Sequence, residues 1–300
     1  MRLYQAGIYT SNFNKKGRVY ARLDETEKWM RDSVENHLES YHYIHRPRAV
    51  QRIRDEGVKV FLDSGAFSAY TQGVEIDIGR YCDYIHENAD IIDFPSVLDA
   101  IGDAEGTYRN QEEMERRGTN PLPCFHYGEP LELLEHYVSK YEYITIGGMV
   151  PISTPQLKLW LDDIWDRYLT DESGRPRTKV HGFGLTSLPL MLRYPWYSVD
   201  SSTWVQWAAN GMILIPTRTG QLDVSSKSSR RKIPNQHLDS MSPMETKRIE
   251  DEIRSFHIDP DRLRDNYFSR WAWNAWAFPW YAKDKHYEND RFKAEVQGFF

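Results

Sequence analysis

Short apolar runs alternate with amphipathic segments along most of this chain. Between the runs, apolar side chains recur at spacings of three and four residues, as at Ile78, Tyr81 and Ile85, which is typical of a helix face. Such alternation favours repeated βα units around a parallel sheet. The predicted strands are Gln5–Thr10, Val58–Leu62, Ile91–Pro95, Leu122–His126, Tyr143–Gly147, Lys179–Gly182, Tyr197–Asp200 and Met212–Pro216. Their number predicts an α/β fold of the (β/α)8 TIM-like barrel type.

The last part of the chain predicts extra helices over residues 242–283. Ser242-Pro243-Met244-Glu245 is a capping box with proline at the first helical position. Residues 267–281 are the densest aromatic run of the chain. Exposed aromatics stack on nucleic-acid bases, so a binding platform is one interpretation. A final barrel helix is the favoured one, with Phe268, Trp271, Ala275 and Phe278 buried at helical spacing.

Composition narrows the class of protein. A chain of 300 residues with 40% hydrophobic residues fits a single barrel domain with extra helices and loops. The net charge of -6 argues against indiscriminate binding to polyanions. With two cysteines, Cys82 and Cys124, neither a disulfide framework nor a four-cysteine zinc site can form. We therefore expect no metal and no cofactor. The absence of long apolar stretches predicts a cytoplasmic protein without membrane contact.

Asp63 and Asp200 carry the main candidate chemistry, because each ends a predicted strand. The carboxyl ends of barrel strands converge on one face, where barrel enzymes place their active sites. Ser64 and Gly65 follow Asp63 and let a substrate approach the backbone closely. The alternatives are an Asx turn or helix cap at Asp63 and, for Asp200, the cap of a helix that begins near Thr203.

Other polar residues at strand ends are candidates for substrate binding. Asp93 and Asp99 lie around the end of one strand, and either could receive the amidine edge of a guanine while the other is a cap. A glycine pair after the fifth predicted strand is either a tight turn or an exposed peptide surface for a planar ligand. The histidines are structural as readily as catalytic. The full candidate set is Ser64, Gly65, Asp93, Asp99, His126, Gly147, Gly148, His181 and Gly182.

Residues 218–234 predict a mobile basic loop. Loops that follow late barrel strands often bind phosphate, so this loop could hold a nucleic-acid backbone. The alternative is a solvated, disordered loop. The candidate nucleic-acid-binding residues are Arg218, Lys227, Arg230, Arg231 and Lys232.

Four short motifs resemble the queuine/archaeosine tRNA-guanine transglycosylases. They are Leu62-Asp63-Ser64-Gly65-Ala66-Phe67-Ser68, Ile144-Thr145-Ile146-Gly147-Gly148-Met149, Val180-His181-Gly182-Phe183-Gly184-Leu185 and Ser198-Val199-Asp200-Ser201. Their order and spacing agree with that family over residues 58–205. Three features depart from it. No cysteine follows Cys124, so the family's three-cysteine, one-histidine zinc site is missing; Ala66 replaces a glycine; and Pro216-Thr217-Arg218 follows an insertion.

As a short chain without this zinc site, the protein resembles the DpdA-like family found in phages and bacterial gene clusters. Members of that family exchange guanine in DNA for a 7-deazaguanine such as 7-cyano-7-deazaguanine. The resemblance implies Asp200 as nucleophile, Asp63 as general acid and base, Gly147-Gly148 as base-binding turn and Asp99 as base-recognition carboxylate. The DNA would be single-stranded or have its target base flipped out. Two alternatives are the same chemistry on tRNA and a noncatalytic nucleic-acid-binding barrel subunit.

Overall fold

Parallel strands form the centre of the molecule. A computed structural model describes residues 1–185, 187–217, 220–283, 286–287 and 289–294. Within them, eight strands belong to one sheet. They are β1 (Arg2–Ala6), β2 (His37–Ser40), β3 (Val60–Asp63), β4 (Ile92–Pro95), β5 (Cys124–His126), β6 (Tyr143–Gly147), β7 (Lys179–Gly182) and β8 (Ser198–Ser201). Two more strands, β9 (Met212–Leu214) and β10 (Gln221–Asp223), form an antiparallel pair of their own.

The eight-stranded sheet curls on itself. Its strand order is β4-β3-β2-β1-β8-β7-β6-β5, with parallel pairing between neighbours. A parallel bridge between Ser96 and Leu122 joins the chain after β4 to the chain before β5. Hydrogen bonds support it, from Val97 N–H to Leu122 O at 3.0 Å and from Leu122 N–H to Pro95 O at 2.8 Å. The predicted α/β, (β/α)8 TIM-like class is confirmed.

The predicted strands are mostly right in place. Seven overlap a barrel strand, although the first was expected too late, at Gln5–Thr10, and β1 ends at Ala6. The eighth was wrong. Met212–Pro216 overlaps β9 outside the barrel, and the missing barrel strand is His37–Ser40. Leu38 is the one aliphatic side chain in this strand, so hydrophobic periodicity could not reveal it.

Helices connect the strands and begin at ordinary start signals. Asp77 and Asp103 cap the helices Ile78–Glu87 and Ala104–Arg116 by accepting hydrogen bonds from the N–H groups of Arg80 and Gly106. No helix in the described ranges is both long and apolar enough to cross a membrane. The helices are α1 (Glu25–Asp32), α2 (Tyr41–Ile44), α3 (Pro47–Glu56), α4 (Ala66–Thr71), α5 (Ile78–Glu87), α6 (Ala104–Arg116), α7 (Leu131–Lys140), α8 (Thr154–Ile164), α9 (Leu188–Arg193), α10 (Thr203–Ala209), α11 (Pro243–Ser255), α12 (Pro260–Asp265) and α13 (Tyr267–Ala277). Short 3-10 helices span Tyr20–Arg22, Leu238–Ser240 and Phe278–Ala282, and a π-helix spans Trp165–Leu169.

Residue contacts divide the chain into two compact units. The barrel unit contains Met1–Ser11, Asn36–Ser201 and the described part of Lys285–Phe300, and the second unit contains Asn12–Glu35 and the described part of Ser202–Asp284. The sequence predicted one domain over residues 1–300, and this stays a prediction.

Aromatic side chains fill the interior of the barrel unit. Tyr4, Leu38, Phe61 and Tyr143 form a buried cluster, against which Phe94 packs from β4. Tyr4 meets Phe61 edge to face with ring centroids 5.4 Å apart. Aromatic pairs in this arrangement contribute beyond the area they bury. The barrel interior is therefore a packed core, and the candidate site residues lie at the strand ends.

Helix α13 organises the second unit. It packs against α1, α10 and β9. Trp273 Nε1–H donates to Leu214 O at 2.5 Å, and the Asn274 side chain bonds to both Leu214 N–H and Met212 O at 3.0 Å. The predicted buried aromatic helix is confirmed in its burial. Its assignment as the final barrel helix was wrong, because it belongs to the second unit.

The predicted loop over residues 218–234 also needs correction. It contains β10, which pairs with β9 through the register of Leu222 with Ile213. Val224 and Ser225 are buried directly after this strand. Polar and glycine residues around a three-residue strand hid it from pattern analysis.

Candidate active site at the strand ends

Asp63 is the last residue of β3 and is held by a tight turn. Its Oδ2 accepts the N–H of Gly65 at 3.2 Å. Gly65 has φ 77°, and a Cβ there would lie 2.1 Å from Ser40 Oγ. Only glycine fits this turn, because a side chain would be strained and would also clash. The Asx-turn interpretation is therefore correct as local structure.

The electrostatic surroundings of Asp63 are unusual. Burial, followed by the negative charges of Asp99 and Asp200, raises its pKa to about 7, against the opposing hydrogen bonds with Gly65 and Ser40. The side chain is half-buried. A carboxyl group with a pKa near neutrality can give and take a proton in the same reaction cycle. The fold thus brings together three of the predicted site aspartates, which lie far apart in the sequence.

Asp200 lies in β8 and is oriented from two sides. Its Oδ1 accepts the backbone N–H of Gly184 at 2.8 Å and contacts His181 Nε2 at 3.3 Å. Helix α10, which begins at Thr203, has Ser202 as its N-cap residue and no side-chain cap bond. Asp200 is therefore not the cap of that helix. Its hydrogen bonds hold one oxygen and fix the orientation of the carboxylate.

A buried polar chain lies behind Asp200. Tyr143 Oη contacts Ser198 Oγ at 2.5 Å, and Ser198 Oγ contacts His181 Nδ1 at 2.6 Å. Burial lowers the pKa of His181 despite the opposing hydrogen bond from Asp200. A neutral ring with its proton on Nε2 satisfies the whole chain, since Nε2–H donates to Asp200 and Nδ1 accepts from Ser198. His181, which also stacks on Phe61 at 4.4 Å, positions Asp200.

A second polar cluster lies at the end of β5. His126 Nε2 is 3.4 Å from Cys124 Sγ and 3.4 Å from Asp99 Oδ2. Its Nδ1 is 2.9 Å from Glu129 Oε1, and Glu129 also accepts the His126 backbone N–H at 2.9 Å. Burial lowers the pKa of His126, but Cys124, Asp99 and Glu129 outweigh it and raise the pKa overall. Burial raises the pKa of the Cys124 thiol to about 11.

The predicted glycines allow close packing at these strand ends. A Cβ at Gly147 would lie 3.0 Å from Cys124 Sγ and 3.0 Å from His126 Cδ2. Gly148 has φ 68° and is exposed beside the backbone of Tyr127. A Cβ at Gly182 would lie 3.2 Å from the ring of Trp196. Gly147 therefore makes room for the β5 cluster, Gly148 offers an open backbone, and Gly182 is structural.

Ser64 and Asp93, two further predicted site residues, lie in different surroundings. Ser64 is buried, and its N–H donates to Ser96 Oγ at 3.0 Å, so it ties β3 to the chain after β4. Asp93 is exposed, and its charge raises the pKa of Tyr4 rather than that of Asp63. Of the two aspartates considered for base recognition, Asp99 is the one that the fold brings to Asp63.

Glu39 and Glu129 were missed by sequence reasoning. Glu39 accepts bonds from Tyr9 N–H at 2.6 Å and Thr10 Oγ1–H at 2.7 Å, and burial raises its pKa to about 7. It lies in the strand that hydrophobic periodicity overlooked, and it anchors the loop after β1. Glu129 follows His126 by three residues, a spacing that could have identified it as the partner of that ring.

The basic residues belong to the second unit. Lys227 and Arg230 line a pocket of about 740 Å³ together with Ser225, Ser228, Asp265 and Arg270. Arg231 pairs with Asp239 at 2.5 Å. Lys232 is exposed, and Arg218 lies outside the described residues. The predicted set therefore divides into pocket residues, a paired residue and an exposed one.

No protein-family model matches the chain, and no curated protein matches it. The fold and the site define an α/β protein of the (β/α)8 type with carboxylates gathered where β3 and β8 end. The resemblance to guanine transglycosylases rests on the four sequence motifs.

Proposed function

We propose that the protein is a DNA base-modifying transglycosylase that exchanges guanine for a 7-deazaguanine. The observation that carries the proposal is the placement of Asp63 and Asp200: they end different strands, yet the charge of Asp200 raises the pKa of Asp63. One carboxylate fixed by hydrogen bonds and a second that titrates near neutrality are the two groups that a double-displacement glycosyl transfer needs.

The reaction divides into two displacements. Asp200 attacks C1′ of a deoxyguanosine as the bond from C1′ to the base breaks, and protonated Asp63 gives its proton to the departing guanine. This leaves a covalent aspartyl-sugar intermediate and an ionised Asp63. Asp63 then removes the proton from the incoming deazaguanine, whose nitrogen attacks C1′ and releases Asp200. Two inversions retain the configuration, and both carboxyl groups return to their starting states.

The positions of the neighbouring residues agree with these roles. Neutral His181 and Gly184 N–H bind one oxygen of Asp200, so the other can face the sugar. Asp99 lies near enough for its charge to raise the pKa of Asp63, and we assign it to the amidine edge of the base. Gly148 offers an exposed backbone for a planar ring. The base must leave the helical stack to reach this site, at a cost of a few kcal/mol.

Base exchange with labelled guanine tests the proposal. Purified protein is incubated with labelled guanine and either DNA or tRNA, and denaturing gels detect a covalent adduct with a labelled oligodeoxynucleotide. Asp200→Ala should abolish the adduct and lower exchange by about 10³-fold or more. Asp163→Asn, in an exposed pair with Arg167, is the matched control.

Each outcome of this experiment has a meaning. Label entering tRNA alone would replace the DNA proposal with the RNA alternative. Exchange that survives in Asp200→Ala would remove Asp200 as nucleophile. No exchange and no adduct with either nucleic acid would favour a noncatalytic barrel.

A further inference from the structure

Three potential metal ligands of different chemistry meet at the end of β5. One ligand atom each from Asp99, Cys124 and His126 lies within 4.8 Å of the others. His126 Nε2 is 3.4 Å from both Cys124 Sγ and Asp99 Oδ2. Cys124 and His126 lie on the same face of the strand because they are two residues apart. The sulfur, nitrogen and oxygen atoms therefore surround a common point.

These separations agree with the geometry of bound zinc. Zinc lies about 2.3 Å from cysteine sulfur, about 2.0–2.1 Å from histidine nitrogen and about 2.0–2.2 Å from carboxylate oxygen. Tetrahedral angles between such bonds place the ligand atoms roughly 3.4–3.6 Å apart. Both distances from His126 Nε2 reach the lower end of this range. The Cys124 and Asp99 ligand atoms lie within 4.8 Å of each other, so binding a metal ion would draw these two side chains together around it.

Glu129 supplies the orientation that a metal-binding histidine requires. Its carboxylate holds His126 Nδ1 at 2.9 Å and the backbone N–H of the same residue at 2.9 Å. With the ring proton on Nδ1, the lone pair of Nε2 points at Cys124 and Asp99. Metal-bound histidines commonly have a carboxylate on their other nitrogen, which fixes the tautomer and strengthens the ligand.

One buried acceptor of the cluster has no donor. Asp99 Oδ1 is buried and has no hydrogen-bond partner among the described residues. The thiol proton of Cys124 can serve a single acceptor, whereas a metal ion interacts with all three groups. A buried polar oxygen without a partner is costly, and binding of an ion is one of its ordinary explanations.

We propose that Asp99, Cys124 and His126 bind a divalent transition metal, with zinc the best match, and that Glu129 orients His126. Three protein ligands leave the fourth position open to water or to a heteroatom of a substrate, as in catalytic zinc sites. This site differs from the three-cysteine, one-histidine site whose absence the sequence predicted, and it is an alternative to the expectation of no metal. It goes beyond the proposed transglycosylase activity and does not depend on it.

Cobalt binding tests this site. The protein is stripped with a chelator, dialysed and titrated with Co²⁺, and absorption spectra are recorded. One equivalent should bind with the visible bands of tetrahedral cobalt and a sulfur-to-cobalt charge-transfer band, and Zn²⁺ should displace it. Cys124→Ser should remove the charge-transfer band, whereas Cys82→Ser, at the other buried cysteine, should keep it.

Two further variants keep the test decisive if Cys124→Ser fails to fold. Asp99→Asn should weaken Zn²⁺ binding and remove the rise in melting temperature that Zn²⁺ produces in the unmodified chain. Glu129→Gln should weaken metal binding roughly 10- to 100-fold. The proposal is overturned if the unmodified chain takes up no Co²⁺ or Zn²⁺, or if the charge-transfer band persists in Cys124→Ser or disappears in Cys82→Ser. Base exchange is not measured, so failure here leaves the proposed function untouched.

Discussion

The acidic side chains compared here from the barrel unit and the second unit differ in whether a basic residue pairs with them. In the second unit, buried Glu27 is paired with Arg262 at 2.5 Å, and Asp239 lies between Arg231 and Arg264. In the barrel unit, Asp63, Asp99 and Asp200 gather without a lysine or arginine pair among the described ion pairs. Paired charges hold a structure together, whereas like charges forced together cost stability and shift pKa values. The contrast is the reason why the proposed chemistry is assigned to the barrel unit.

The comparison is tested most strongly by the pH dependence of adduct formation. Burial, followed by the charges of Asp99 and Asp200, raises the pKa of Asp63 to about 7. Departure of guanine needs the protonated form, so the single-turnover rate should fall about tenfold per pH unit above pH 7. Rapid-quench measurements from pH 5 to 9 check this. A rate that stays level across the range would exclude Asp63 as the acid.

We also expect ionised Asp63 to lower the free energy of unfolding. Its folded pKa of about 7 lies above the usual value of 3.8, so the native state binds more protons between these pH values and stability falls as pH rises. Asp63→Asn should therefore raise the free energy of unfolding by about 1–4 kcal/mol at pH 8 and change it little near pH 4. Urea unfolding at both values measures this. Asp163→Asn is the surface control, and an equal gain at pH 4 and 8 would contradict the assignment.

The polar chain behind Asp200 gives a third test. Ser198→Ala leaves the Tyr143 hydroxyl and His181 Nδ1 without their partner, so we expect a loss of about 1–3 kcal/mol in the free energy of unfolding. Ser139→Ala, where an exposed hydroxyl bonds to His136 O within α7, is the matched control. Equal stabilities of these two variants would mean that the buried chain contributes no more than a surface bond.

We expect substitutions in the second unit to change the affinity for DNA rather than the rate of adduct formation. The double variant Lys227→Ala/Arg230→Ala should weaken DNA binding and lower the slope of log K against log salt by about 1–2. Arg231→Ala should change the slope less, because Asp239 already neutralises that side chain. Fluorescence anisotropy over a series of salt concentrations measures both.

Lys247→Ala, in an exposed pair within α11, is the control for these binding measurements. If the double variant loses adduct formation at saturating DNA, the second unit contributes to the reaction as well as to DNA affinity, and the proposed separation of roles is contradicted. A salt slope equal to that of the unmodified chain would leave the basic residues as a solvated surface.

Hydrophobic patterning predicted the barrel because apolar strand runs and helical periods are local signals. It located β6 and β7 at their observed bounds, and it placed Asp63 and Asp200 at strand ends. It failed at His37–Ser40, whose buried histidine and glutamate carry no apolar alternation. It also failed at β9, because a short apolar strand does not reveal whether its partner is parallel or antiparallel.

The sequence by itself determined which residues end the strands and which glycines their turns require, since these depend on neighbours along the chain. Only the tertiary structure decided which of these residues meet. Asp99 rather than Asp93 reaches Asp63, Glu129 holds His126, and His181 positions Asp200. The reason is physical: pKa shifts and ligand clusters arise from distances of a few ångströms between strands that the order of residues does not specify.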